Sequence, residues 1–487
     1  MPCVSYYFGE SIAASLLENT HIAERERRIR LGNIDFPPQN RKPSFFHSQR
    51  SGESTKIQPA LLINALFTHK RSNTANLITM SQSAKASAST FEETLTLPRG
   101  FRFAGIACGL KASGKKDVAL VVADHPVTAS GVYTQNQIVA APVLNSRRKT
   151  PSSSVQAVVA NSGNANACTG QQGVEDAALM CQQVANLLAV DPDQVLVLST
   201  GVIGVNLDME KIHQGIDGAF ANLHPTAEHF LSAADAICTT DQSSKVASRS
   251  LVINGTKVEI LGMAKGAGMI APNMATMLAV ITTDIQLSQT QADSMVKTAT
   301  DESFNRISVD GHTSTNDTVL LLASGDAKVT LDDESSSVFQ EQLNDLFTEL
   351  AKQIVLDGEG AQYIMAIEVL GARDDNDAFE IAEKVAASQL VKTAITGSDP
   401  NWGRIVSAAG CAKASIDPEL TSLELCGKTI YQNGSPADFD AAELSGKMKS
   451  HREVPIVLRV GNGQGRARYW SSDLTTAYVE FNSEYTT

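Results

Sequence analysis

The chain has 487 residues, and 40 Lys and Arg against 53 Asp and Glu leave a formal net charge of −13. With 43% hydrophobic and 19% charged residues, it has the composition of a globular protein with a sizeable core, long enough for about two to four domains. The acidic balance argues against a general binder of nucleic acids or anionic membranes, which would need clustered Lys and Arg.

Residues 1–90 stand apart from the rest. Apolar runs are short, and Pro37-Pro38, the Ser81–Ser89 tract and the basic Arg25–Arg30 stretch break any periodicity. A transit peptide is Arg- and Ser-rich but poor in acids, whereas Glu10, Glu18, Glu24, Glu26 and Asp35 are present here. No apolar stretch followed by a small-residue cleavage site suggests secretion. The segment is expected to be a disordered or non-native extension, with Met80 as an alternative start, and the protein to be cytoplasmic. Mitochondrial matrix or plastid is the alternative if the segment is a transit peptide.

From residue 91 onward, strand and helix patterns interleave. Asp117–Ala123 and Val155–Ala160 predict strands, and Gly173–Val190 predicts a helix with Ala177, Met180, Cys181, Val184, Leu187 and Leu188 on one face. Val195–Leu198 predicts a short buried strand, Val258–Leu261 and Met277–Thr283 two more, and Glu341–Ile354 an amphipathic helix. Val454–Val460, a glycine-rich turn and Arg466–Trp470 predict a C-terminal hairpin. The expected class is α/β, of α+β type, with mixed or antiparallel sheets. Seven scattered cysteines with no C-x-x-C pair suit a reducing compartment and predict neither a disulfide framework nor a zinc site. Gly266–Thr283, interrupted by Pro272 and Asn273, is not expected to span a membrane.

Lys265–Ala279, KGAGMIAPNMATMLA, carries the most information. Its Gly266-x-Gly268-x-x-Ala271 matches a loose dinucleotide fingerprint. That motif must open a helix whose N-terminus holds a pyrophosphate, and Pro272 with a strand close behind argues against it. A second chemistry suits the residues better. A Thr at the head of a buried strand, behind small residues and a proline bend, can attack its own preceding carbonyl. The resulting ester hydrolyses and leaves Thr276 as a new N-terminus, whose α-amine (pKa about 7.7–8.0) is a base carried by the nucleophile. The commoner role of such a Thr is simply that of a β-former in a core strand.

The same segment resembles the self-cleavage region of the ornithine acetyltransferases, the glutamate N-acetyltransferases of the cyclic arginine pathway. Further segments resemble that family in order: Leu97–Phe101, Gly131–Thr134 with Ala140–Val143, Asn161–Gly170, Ser199–Gly204, Thr239–Asp241, Ser303–Thr318, Gly358–Ala361, Asp399–Ile405 and Asn482–Thr487. The resemblance covers residues 95 to 487. It implies cleavage between Ala275 and Thr276, giving segments 91–275 and 276–487 that stay interlocked within a layered sandwich of sheets and helices. Thr276 matches the nucleophile, and Thr200 and Gly201 match the pair that stabilises the oxyanion. Thr239 or Thr240, Lys265, Thr276, Glu359, Asn482 and Thr487 match substrate contacts. Asn482 and Thr487 could act only if the last strand delivers the C-terminus to the site.

The implied substrates are N-acetylornithine and glutamate, with no metal or bound organic cofactor. Acetyl-CoA is a co-substrate in the bifunctional members of the family, and no residue here separates the two kinds. The implied assembly is two α and two β chains, without nucleic acid or membrane partners. A self-processed aminopeptidase or amidase and a non-catalytic binding module are the rival readings. Three places depart from the family pattern: Gln362-Tyr363 after the Gly-Glu-Gly-Ala turn, His312, and Ser471-Ser472.

Overall fold

The computed structural model describes residues 95–271 and 277–484, all within the compact unit Thr79–Thr487. The extension over residues 1–90 lies outside the described residues, as do Ala275, Thr276 and Thr487.

The first sheet takes β1 (Phe101–Ile106), β2 (Val118–Tyr133), β3 (Ser152–Asn164), β4 (Val195–Val202), β5 (Lys245–Ile253), β6 (Thr256–Lys265), β7 (Leu278–Thr283) and, after the short β8 (Ile307–Ser308) of the other sheet, β9 (Thr318–Ala323). Its order is β4-β3-β2-β9-β7-β6-β5, with β1 beside the first half of β2. The β3–β4 and β7–β9 pairs are parallel and the others antiparallel, so the sheet is mixed, as the adjacent short strands predicted. Strands from both sides of residue 276 share it, which interlocks the two segments.

Both faces of this sheet are covered. Val118, Leu120 and Val122 of β2 pack against α1 (Ala141–Arg147), α2 (Gly170–Leu188) and α3 (Met209–Ala221). Ala119, Val121 and Ala123 point the other way, into a core closed by Phe230 and Ala233 of α4 (Ala227–Ala236). Ala279 and Ile281 of β7 face α5 (Gln289–Glu302) and α6 (Asp333–Leu356). Strands buried on both faces favour unbroken apolar runs, which is why LAVI in β7 and VALVVA in β2 lack alternation. Each fully buried Leu or Phe contributes on the order of 1.5–3 kcal/mol.

The second sheet lies wholly after residue 276. It joins β8 to β10 (Ile364–Ala372), β11 (Ser422–Leu425), β12 (Lys428–Gln432), β13 (Ser435–Pro436), β14 (Glu453–Arg459) and β15 (Gly465–Ser472), in the order β13-β12-β11-β14-β10-β15-β8. Its core is shared with α7 (Asp375–Ala387), α8 (Gln389–Thr396), α9 (Trp402–Ala409) and α10 (Ala441–Ser450), and α11 (Thr476–Glu484) follows β15.

Three expectations change. The C-terminal hairpin does not form: β14 and β15 lie on opposite sides of β10, one parallel and one antiparallel to it. The glycine-rich segment between them reverses the chain across the end of β10 instead of pairing the two strands, with Gly463 N–H donating to the Gly371 carbonyl. The second change is that α6 starts eight residues early, because Asp332 caps it through the Ser335 N–H and its serine-rich first turns are exposed or half-buried. Finally, β2 runs on to Tyr133, through a register shift at the exposed Asp124–Pro126, to reach β9. Among the described residues, no helix is long and apolar enough to cross a membrane.

Candidate active site

Thr200 and Gly201 sit near the end of β4, where Gly201 lies in parallel register with Gly163 of β3. Gly201 adopts φ +135°, and a Cβ there would come 2.3 Å from the Gly163 carbonyl carbon, so only glycine lets the two backbones meet. Asn316 fastens this corner, its Nδ2 donating to the carbonyls of Ala165 at 2.6 Å and Ser199 at 2.9 Å.

Lys265 ends β6 opposite Leu278, the first residue of β7. Its side chain is buried, and no hydrogen bond to its ammonium is found among the described residues. Burial pulls its pKa below the ordinary lysine value, against the upward pull of Asp241 and Asp317. Asp241 organises the surroundings. Its carboxylate accepts from Lys245 Nζ, from Gly266 N–H at 2.7 Å and from Thr239 N–H at 2.7 Å. Burial pushes Asp241 up, but the Lys245 and Lys265 charges outweigh it and hold the carboxyl at about 2. Lys245 also bonds Asp357, at the C-terminal end of α6, whose Oδ2 accepts the Gln242 N–H.

Two residues further on comes Glu359. Its N–H donates to the Ala267 carbonyl, and its carboxylate lies so near Gly268 that a Cβ there would be 2.4 Å from Oε2. Asn482 Nδ2 donates to Glu359 Oε2 at 3.0 Å. A helix, not the last strand, brings Asn482 here: β15 ends at Ser472, and α11 is seated by Thr475 Oγ1 donating to the Gly360 carbonyl. A strand leaving β15 would continue the second sheet, whereas a helix begun at Thr475 turns onto the Glu359 loop.

One cleft of about 230 Å³ gathers Thr200, Gly201, Thr239, Thr240, Lys265, Glu359 and Asn482. The Thr239 hydroxyl is turned to Asp241 Oδ2, at 3.5 Å. Gly266–Ala271 does not open a helix, as a dinucleotide loop would. It belongs to the connection between the antiparallel neighbours β6 and β7.

The ArgJ family model matches residues 102–487. An arginine biosynthesis bifunctional protein ArgJ from Rhodopirellula baltica is 54% identical over 396 residues, 80% of this chain and 96% of that protein. The protein of the same name from Nitratidesulfovibrio vulgaris is 43% identical over 80% of this chain and 98% of its own length. The chain belongs to the ArgJ family. A crystal structure of an arginine biosynthesis bifunctional protein argJ from Bacillus halodurans aligns at 37% identity over 42% of this chain and 98% of the solved one, with a TM-score of 0.41.

In this ArgJ family chain the cleft also holds residues to which the sequence assigned no role: Asp310, Ser314, Thr315, Asn316 and Tyr478, with Met269 of the glycine-rich stretch. The signal for most of them was the dense polar run Asp310–Asp317, which reads locally as turn chemistry. Of the departures from the family pattern, His312 lines the cleft. Gln362 and Tyr363 do not; their N–H groups donate to Asp473 Oδ1 at 2.9 and 3.1 Å. Ser471 and Ser472 accept from the buried Lys392 at 3.1 and 3.3 Å.

Proposed function

We propose that this protein moves the acetyl group of N2-acetyl-L-ornithine to L-glutamate in arginine biosynthesis, through an acetyl ester on Thr276. It prepares that residue by cutting its own chain after Ala275. The observation that supports this reading is the cleft. A backbone corner at Thr200–Gly201, the buried Lys265, whose ammonium has no hydrogen-bond partner among the described residues, and a Glu359–Asn482 pair face one space, beside the start of the strand that follows Thr276.

In the proposed maturation, Thr276 Oγ attacks the Ala275 carbonyl carbon. The Ala275–Thr276 peptide bond breaks as the ester forms, and water hydrolyses the ester to the Ala275 carboxylate and the free Thr276 hydroxyl and amine. In turnover, that α-amine takes the hydroxyl proton while Oγ attacks the acetyl carbonyl. The Thr200 hydroxyl and Gly201 N–H stabilise the oxyanion, and the proton passes to the departing ornithine amine. The glutamate amine then attacks the Thr276 ester and leaves as N-acetylglutamate, restoring the hydroxyl.

Lys265 pairs with the substrate α-carboxylate and Glu359 with the ornithine ammonium, and Asn482 and Thr487 are the further substrate contacts that the resemblance implies. Of the two adjacent threonines, Thr240 is proposed as the substrate contact, because Thr239 already faces Asp241. The relatives are named bifunctional, and acetyl-CoA is proposed as the second acetyl donor. Two cut pairs are proposed to associate, in line with the resemblance.

Intact mass under denaturing conditions, followed by an assay with N-acetylornithine and glutamate, tests the reading. Two chains meeting at Ala275/Thr276, and N-acetylglutamate appearing with ornithine, are expected. A single uncut chain, or acetate formed regardless of glutamate, overturns it.

A further inference from the structure

The segment 308–318, the loop from the last residue of β8 to the first of β9, bonds the chain on both sides of residues 272–276. Upstream, Asp310 Oδ2 accepts the Met269 N–H at 2.6 Å, and Oδ1 accepts the N–H groups of Ile270 at 2.9 Å and His312 at 3.1 Å. The Ile270 carbonyl is held in turn by the N–H groups of Val309 at 2.9 Å, Asp310 at 3.3 Å and Gly311 at 3.3 Å, and by Ser308 Oγ at 3.1 Å. One residue, Ile270, is therefore held at both its backbone donor and its backbone acceptor. The grip holds Met269 at φ +58°, the left-handed region that a side chain disfavours.

Downstream, Asp317 Oδ1 accepts the Met277 N–H at 3.0 Å, and the Met277 carbonyl accepts the Thr318 N–H at 3.2 Å. Met277 is bonded directly to Thr276, so this contact sits on the peptide that Thr276 itself begins. Asp317 is fully buried, and its Oδ2 has no partner among the described residues. The loop is itself pinned, because Lys392 Nζ donates to the Val309 carbonyl at 2.8 Å from within the second sheet's core.

We propose that Asp310 and Asp317 are positioning residues for self-cleavage, with the 308–318 loop fixing the chain before and after the Ala275–Thr276 bond. The inference rests on the self-cleavage reading above. Attack of a hydroxyl on its own preceding carbonyl is intramolecular, and its rate depends on how often the two atoms meet in line. Fixing Ile270 on one flank and Met277 on the other sets where the two ends of the reacting segment lie.

The two carboxyl groups answer differently to the same change. Asp310 accepts on both oxygens, so Asp310→Asn sets an amide N–H against a backbone N–H. Burial pushes Asp317 well above the ordinary carboxyl value, against the pull of Met277 N–H and Lys265. Asp317→Asn therefore keeps the acceptor for Met277 at little cost, whereas Asp317→Leu removes it.

The test follows chain cleavage in the full-length protein by denaturing mass spectrometry, with uncut Thr276→Ala as the reference for a folded precursor. Asp310→Asn and Asp317→Leu are expected to slow the cut at least about tenfold, while Asp317→Asn stays within about threefold of wild type. Uncut Asp310→Asn should melt close to Thr276→Ala. If Asp310→Asn does not fold, Ser308→Ala removes only one of four donors at the Ile270 carbonyl and should still slow the cut severalfold. Wild-type rates in Asp310→Asn and Asp317→Leu, or in Ser308→Ala, overturn the inference. An uncut wild-type chain overturns the self-cleavage reading instead.

Discussion

Replacing Asp241 by Asn tests the electrostatics of the cleft most directly. Its carboxylate is buried and accepts from Lys245 Nζ, Gly266 N–H and Thr239 N–H, joining the two segments that carry Thr239, Thr240 and Lys265. Holding the carboxyl at about 2 instead of its ordinary 3.8 corresponds to about 2.5 kcal/mol of stability at neutral pH, at about 1.36 kcal/mol per pH unit. Removing one member of a buried ion pair typically costs about 3–5 kcal/mol, so the expected loss is about 2.5–5 kcal/mol. The sign follows from linkage. A depressed carboxyl contributes fully above 3.8, and the contribution fades as pH falls through about 2. Urea denaturation of wild type and Asp241→Asn should show a constant gap from about pH 7 down to about pH 5, narrowing below about pH 4. KM for N-acetylornithine should rise more than kcat falls, because the variant loosens binding residues and leaves the nucleophile alone. A gap below about 0.5 kcal/mol at pH 7, or one that widens on acidification, refutes the argument.

Thr200→Val should lower kcat by about 10²–10³ with little change in KM, measured at saturating N-acetylornithine, if the hydroxyl meets the developing oxyanion. Gly201→Ala should cost both stability and activity, since its methyl would collide with the Gly163 carbonyl carbon; an unchanged melting temperature would sink the close-approach account. Lys265→Met removes a buried charge that has no hydrogen-bond partner among the described residues, so the melting temperature should hold while KM rises at least about tenfold; a normal KM would remove Lys265 from the binding scheme. Lys392 is pulled down to about 8 from the ordinary 10.5 by burial, which Asp310 and Asp473 only partly offset. The unfolded chain therefore holds this proton more tightly, and wild-type stability should gain up to about 3 kcal/mol as pH rises from about 8 to about 10.5. Denaturation curves across that range should be flatter by this amount in Lys392→Met, and parallel curves would contradict the assignment.

Much of the framework was legible in the chain. VALVVA and the LAVI that opens LAVITT are unbroken apolar runs and were read as strands, and β2 and β7 lie there, covered on both faces. The helical spacing of Ala177, Met180, Cys181 and Val184 likewise marked the buried face of α2. The candidate residues Thr200, Gly201, Thr239, Thr240, Lys265, Glu359 and Asn482 came from the resemblance of ordered segments to the family, and the fold brings all seven to one cleft. Periodicity and motif order are local properties, so local sequence can express them.

Tertiary structure alone decided how distant segments meet. Val454–Trp470 has the pattern of a hairpin, yet β10, almost a hundred residues earlier, lies between its strands and pairs with both. Asp241, Asp310 and Asp317 lie in polar segments to which the sequence assigned no role of their own. They are acceptors, buried at Asp317 and Asp241 and half-buried at Asp310, for the N–H groups of Met269, Ile270, Met277 and Gly266, which lie 25 to 41 residues away. A polar side chain in a loop carries no local signal of its partner, because a buried acceptor is satisfied by whichever donor the packed core brings near it. The sequence by itself determined which faces are buried and which residue types are available to the site. The packing of the two sheets decided which backbone groups those carboxylates hold.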